Sequence, residues 1–180
     1  MAVLLSTLER VVVVSYLAFS LFAAVFMDAQ SVLPVDWFPF FFRELVEHHA
    51  QTNHDPLVGA PEKHRWFQHL VYAELFFQVP VIVLLLFLLL RCKDKAARKV
   101  ALVFSAHIAT TMIPVLGFLL EADSFPSEGD RRRLIAIYLP FLLVPCWMIW
   151  IFFRKSGKEK NKIESSALPE RTAGAGKKTA

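Results

Sequence analysis

The sequence predicts an all-α polytopic membrane protein, a bundle of four transmembrane helices with a cap loop over its luminal end. Three observations carry this. The 180-residue chain is 56% hydrophobic, with 17 Phe and a mean hydropathy of +0.46, above the roughly 45–50% apolar content of soluble domains. The excess gathers in four blocks, 8–27, 67–90, 99–120 and 133–153, each near the ~20 residues that cross ~30 Å of hydrocarbon. The loop between the first two blocks, 28–66, is long and crowded with aromatic and acidic residues. Residues 1–153 therefore read as one membrane domain and 154–180 as a disordered cytosolic tail, charged and without apolar periodicity.

The net charge of +4 and pI near 9.2 do not point to nucleic acid, because the basic residues are segregated. Arg91, Lys93, Lys95, Arg98 and Lys99 fill the 91–99 loop, and most of the others follow Phe153. The 28–66 loop is acidic on balance. That asymmetry places the 91–99 loop and both termini in the cytosol. The 28–66 and 121–132 loops then face the lumen. Arg131, Arg132 and Arg133 run against this rule, with Glu121, Asp123, Glu128 and Asp130 close by. Cys92 and Cys146 fall at different depths, so no disulfide is expected. No metal-ligand spacing is present, and no cofactor is expected. A cleaved signal peptide is disfavoured, because the first apolar run exceeds the ~7–15 residues of an h-region.

The first block, a Val-rich run with Ser15, Tyr16 and Ser20, is a plain span. It ends at Met27, and Asp28 follows. In the loop, "DWFPFFFRELVEHHA" (36–50) has aromatics too dense for a solvated segment. It reads either as a belt lying at the headgroup level or as a cap over the spans, and the cap is favoured because it gives the loop's acids a role. "TNHDPLVGAP" (52–61) is turn chemistry. The second block carries Glu74, Gln78 and Pro80. Glu74 and Gln78 are four residues apart and share a helix face. An acid within a span costs ~2.5–3.5 kcal/mol on insertion scales and faces a cavity or a neighbouring helix. It is therefore either an interhelical hydrogen-bond partner or the wall of a polar pocket. The third block holds Ser105, His107, Thr110, Thr111 and Pro114, and the fourth Tyr138, Pro140 and Pro145. Ser and Thr in such helices often bond only their own backbone.

Depth arithmetic joins these groups. At 1.5 Å per residue Glu74 lies ~10 Å below the luminal edge, Gln78 ~16 Å, Thr111 ~14 Å and Tyr138 ~8 Å. His107 falls ~20 Å down, where its reach to the others is doubtful. Prolines in three spans bend helices and free carbonyls. Bent helices around a polar layer leave room for a ligand, and Asp28 tops the first helix just above that layer. At the carboxyl end, Lys177 and Lys178 in "KKTA" match a dilysine signal for return to the endoplasmic reticulum.

"LFAAVFMDAQSVLP", "HDPL", "AELFFQVP", "SAHIATTMIPVL" and "IYLPFLLVP", in this order and spacing, resemble the sigma-2 receptor family. That family belongs to the EXPERA-domain superfamily together with the emopamil-binding sterol isomerase. The resemblance runs from about Leu21 to Trp147. It implies a homodimeric four-helix protein of the endoplasmic reticulum membrane. Its deep cavity would open to membrane lipid and bind sterols and cationic amphiphiles. The implied role is sterol homeostasis or transport, with sterol-transport proteins among the partners. It further implies that Asp28 pairs with a protonated amine, that Asp55 and Glu74 sit beside it and share a proton, and that Gln78, Thr111, Tyr138 and Met27 line the pocket. The chain departs from the family at His49 and Phe141, where relatives carry pocket tyrosines, and at Ser20, where they carry a His.

The leading functional reading is therefore an intramembrane binding protein and not an enzyme. Neighbouring buried acids holding one negative charge would attract a cation strongly in low dielectric. The alternative is a sterol Δ8–Δ7 isomerase. It is disfavoured because the isomerase relatives place a His where this chain has Leu70, with His69 off the face, and carry an acid in the third span that is absent here. A third reading is a scaffold whose pocket is vestigial.

Overall fold

The computed structural model describes the backbone of residues 5–167 and the side chains of residues 5–154 apart from Asp94. Lys177 and Lys178 lie outside the described residues. Four helical stretches are long and apolar enough to cross a membrane: Thr7–Ser31, Arg65–Leu90, Lys95–Glu121 and Glu128–Arg154. The described residues contain helices and turns without strands, so the all-α polytopic bundle stands.

Helix α1 (Thr7–Phe26) starts at a capping box in which Ser6 Oγ accepts from the Glu9 N–H and Glu9 Oε2 accepts from the Ser6 N–H. This satisfies two of the donors that a helix start leaves open. Its buried residues, Val13, Leu17, Ser20, Ala23 and Ala24, recur at helical spacing and form one inward face. A turn of 3₁₀ helix, Asp28–Ser31, follows. The cap consists of α2 (Phe40–Asn53) and the single turn α3 (Pro56–Gly59). Between them His54 takes the left-handed conformation (φ 52°) that ends α2, one that His adopts more readily than most residues.

The second span is interrupted. Helix α4 (Arg65–Ala73) passes through a π-helical turn, Glu74–Gln78, into α5 (Val79–Leu90). The Val79 N–H reaches back five residues to the Glu74 carbonyl. Pro80, just beyond, has no N–H and crowds the preceding turn, and widening that turn relieves the clash. Helix α6 (Asp94–Glu121) runs unbroken through Pro114. The last span divides at Leu139 into α7 (Glu128–Tyr138) and α8 (Pro140–Ala167), where Pro140 cannot continue the ladder.

Two boundaries depart from expectation. The fourth span starts at Glu128, ahead of 133, because Ser127 Oγ accepts the Asp130 N–H as an N-cap. The arginines that ran against the charge rule are held there: Arg131 pairs with Glu128 at 2.8 Å and donates to the Ala122 carbonyl at 2.9 Å. At the other end α8 continues to Ala167, so the first part of the segment expected to be disordered from 154 onward is helical. Its Lys and Glu content suits a helix, and a polar segment fused to a long helix needs no new nucleus to extend it.

The bundle has two cores. On the side of the chain termini, Leu17, Ile82, Leu85, Phe104, Ile108, Met148 and Phe152 belong to one buried cluster. Arg10 ties α1 to the end of α5 by donating to the Leu89 carbonyl at 2.6 Å. On the cap side, Leu57, Phe67, Val71, Val115, Leu119 and Leu134 form a smaller cluster. The cap is anchored by Gln30, whose Nε2 donates to the carbonyls of Phe26 and Phe42, and by the stacking of Phe42 on Phe26 at 4.4 Å. Its opposite surface exposes Trp37, Phe40 and Phe41, each about two-thirds open. The segment folds as the favoured cap, with these three aromatics on its outward face.

Candidate functional site

Between the two cores lies a cavity of about 200 Å³. Each span contributes to its wall, because the inward stripe of every helix passes it at intervals of three or four residues. Met27, Asp28, His49, Glu74, Gln78, Thr111, Tyr138 and Phe141, all expected from the sequence, line it together. The π turn spans Glu74 to Gln78, and the Gln78 Nε2 donates to Glu74 Oε1 at 2.5 Å. Thr111 lines the wall while its hydroxyl bonds its own helix at the Ile108 carbonyl, 3.0 Å away. Thr110 does the same at Ala106 but on the exposed face.

Asp55 is the exception among the predicted residues. It is 2% exposed and does not line the cavity. Its Oδ1 caps α3, accepting from the Leu57 N–H at 2.9 Å and the Val58 N–H at 3.3 Å. Its Oδ2 accepts from the Tyr138 hydroxyl at 2.8 Å and meets His49 Nε2 at 3.2 Å. Asn53 Nδ2 lies 3.2 Å from His49 Nδ1. With the Asn donating there, Nε2 is left to donate to Asp55. Four donors fill the accepting capacity of a carboxylate. Asp55 therefore positions Tyr138 and His49, both of which line the cavity. The proton that the resemblance would have Asp55 share with Glu74 has no hydrogen bond to run along here, since both Asp55 oxygens are taken by other groups.

Asp28 is the opposite case. Its side chain lines the cavity, and its carboxylate accepts no hydrogen bond from any described residue. The charged groups that bear on it are the other acids, Glu74 and Asp55.

Several lining residues escaped the sequence reading. Phe19, Ser20, Leu70 and Met112 are on the wall, and so is His107. The depth estimate treated the spans as straight, upright rods. The π turn, the break at Leu139 and the proline in α6 make the hollow reach farther down than that. His107 lies edge-to-face with Phe77 at 5.0 Å. Leu70 is on the wall, whereas His69 is exposed and bonds the Arg65 carbonyl, as its off-face position required. Phe19 and Ile137 line the cavity yet are 55% and 38% exposed. The hollow thus approaches the outer surface between α1 and α7, beside a Phe19–Phe141 ring contact at 5.8 Å.

An acid-walled cavity in a bundle of four spans, two of them interrupted, with a helical cap, defines the class. Residues 41–152 match the EXPERA (EXPanded EBP superfamily) family, and the chain belongs to it. That match begins beyond Asp28. At the level of single proteins the chain is similar to Sigma intracellular receptor 2 of Macaca fascicularis, 34% identical over 141 residues, which is 73% of this chain and 78% of that one. The Homo sapiens protein of the same name is 33% identical over the same shares. The Xenopus tropicalis protein is 31% identical over 149 residues, 76% of this chain and 85% of its own.

Proposed function

We propose that this chain is an intramembrane binding protein for cationic amphiphiles and sterols, acting in sterol homeostasis or transport in the endoplasmic reticulum membrane. One observation carries the reading: of the two buried-loop aspartates, Asp55 is saturated by four donors while Asp28 faces the cavity with its carboxylate uncommitted. A carboxylate in a low-dielectric hollow with no donor of its own gains most from a cation brought in by a ligand. Glu74, tied to Gln78, does not compete for the same contact. The apolar remainder of the wall accepts the ligand's hydrocarbon. The relatives' name, receptor, agrees with binding over turnover.

The test is capture of a radiolabelled cationic amphiphile by purified protein. Asp28→Asn keeps the shape and removes the charge, and should weaken capture about thirtyfold or more, because losing one partner of a buried charge pair costs ~2–5 kcal/mol. Thermal unfolding should stay close to wild type. Unchanged affinity would overturn the reading. The homodimer expected from the resemblance is tested by the mass of the detergent-solubilised protein. The dilysine signal at Lys177 and Lys178 is tested by relocation of a Lys177→Ala/Lys178→Ala variant away from the endoplasmic reticulum.

His107 favours a second reading, since it lines the same cavity as Glu74. An isomerase needs one group to protonate an alkene and another to remove a proton, and an imidazole and a carboxyl could divide that work. Incubation with a Δ8-sterol decides it. Formation of Δ7 product that His107→Leu abolishes would establish the enzyme, and no product beside an active isomerase control would dismiss it.

A further inference from the structure

The end of the cavity away from the cap holds polar groups that the amine-binding reading leaves unused. Ser20 lines the wall, is 3% exposed, and its Oγ has no hydrogen-bond partner. Tyr16, one turn away on the same face of α1, also has a buried hydroxyl with no partner. The two lie beside each other. Even paired, they would hold two protons and one bond between them, so one donor always looks elsewhere. From the second span, the Gln78 side chain spends a donor on Glu74, and its amide oxygen accepts from no described residue. His107, from a third span, lines the same cavity and makes a ring contact to Phe77, the chain neighbour of Gln78, without a hydrogen bond to any described residue.

These groups have two features in common. All are hydrogen-bonding groups that carry no carboxylate or ammonium charge, and all have capacity left over. Buried polar groups are ordinarily satisfied, and leaving one unpaired costs about 1–3 kcal/mol. A serine hydroxyl swings readily among its staggered positions, so Ser20 can follow a group that enters. Three spans bringing such groups to one place describe a recognition site for something neutral that both donates and accepts.

We propose that this end of the cavity is a second polar pole, which takes a hydroxyl on the far end of a ligand whose cation sits at Asp28. This deepens the binding reading and rests on it. Ser20 lies eight residues before Asp28, so the poles are ~12 Å apart along the helix. The preferred ligand is therefore bipolar: a cation, an apolar body of about that length, and a terminal alcohol. Ser20 is the specificity-determining residue, and His107 and Gln78 complete the pole.

The experiment compares two probes, a saturated tertiary alkylamine spanning that ~12 Å separation and its ω-hydroxy counterpart, by competition against a radiolabelled cationic amphiphile on the full-length protein. Wild type should favour the hydroxylated probe about threefold to tenfold, the yield of one or two net hydrogen bonds. Ser20→Ala should bring that ratio to near one, and His107→Leu should reduce it, while Ser20→Thr, which retains the hydroxyl, should keep it. Thermal unfolding of each variant confirms folded protein, and His107→Leu carries the test if the Ser20→Ala variant does not fold, an unchanged ratio there counting against the proposal. Equal affinity for the two probes in wild type would overturn the proposal and leave the Asp28 reading intact. So would a preference that survives Ser20→Ala. If neither probe competes, the binding reading itself has failed and the second pole falls with it.

Discussion

The two halves of the bundle use the same four helices for opposite ends. Toward the termini, Leu17, Leu85, Phe104 and Phe152 are fully buried or nearly so and pack on one another. Toward the cap, two of the spans are interrupted, at Glu74–Gln78 and at Leu139, and the inward stripe turns polar. One half is filled with side chains that need nothing but contact. The other is held open by side chains that need partners, some of which they find within the protein. Packed core and cavity are thereby separated along the bundle, and on the proposed function a substitution should report which half it lies in.

The largest expected effect on stability lies in the filled half. Phe104→Ala removes a ring that is 1% exposed and touches Tyr16 edge-on at 6.5 Å. It should cost ~3–5 kcal/mol, seen as earlier thermal unfolding in detergent. Affinity per folded molecule should change far less. Comparable loss of both would show that the halves are not separable. Next comes Asp55→Ala, which strips Tyr138, His49 and the start of α3 of their common acceptor. About 2–4 kcal/mol of stability should go, together with ligand affinity, because two wall residues lose their anchor. Asp28→Asn should separate those readouts, lowering affinity alone. A smaller effect is expected for Met112→Trp, which fills the hollow: affinity should fall at least tenfold, with stability within ~1 kcal/mol of wild type. Smallest of all is Thr110→Val, on the exposed face of α6 with its hydroxyl bonded to its own helix. It should leave both measurements within ~0.5 kcal/mol.

What the sequence disclosed of this contrast follows from which signals are local. Four apolar blocks are local, and they mapped onto four helices. Glu74, Gln78 and Thr111 could be placed on inward faces because helical periodicity extends over a few turns. The role of Asp55 could not be read that way. Its saturation depends on Tyr138, 83 residues away, so it looked like Asp28, another acid near the mouth of the bundle. His107 was left out because a rise per residue does not say how far down between the helices a hollow extends. Pro80 hinted at a local disturbance but could not show that it would take the form of a π turn upstream. The helical continuation to Ala167 was hidden by charge, since a polar segment attached to a membrane helix can inherit its conformation without an apolar face of its own.

The wide turn at Glu74–Gln78 has a consequence for how this span can change. It carries one residue more than the α-helical path requires, and each residue of an α-helix turns the chain by ~100°. Removing one residue there would close the turn and swing everything on one side of it relative to the other. The span behaves as two shafts joined by an adjustable coupling. Glu74, the acid at its start, should be re-aimed by a single-codon deletion while Ile82, Leu85 and Leu89 keep their seating in the packed half.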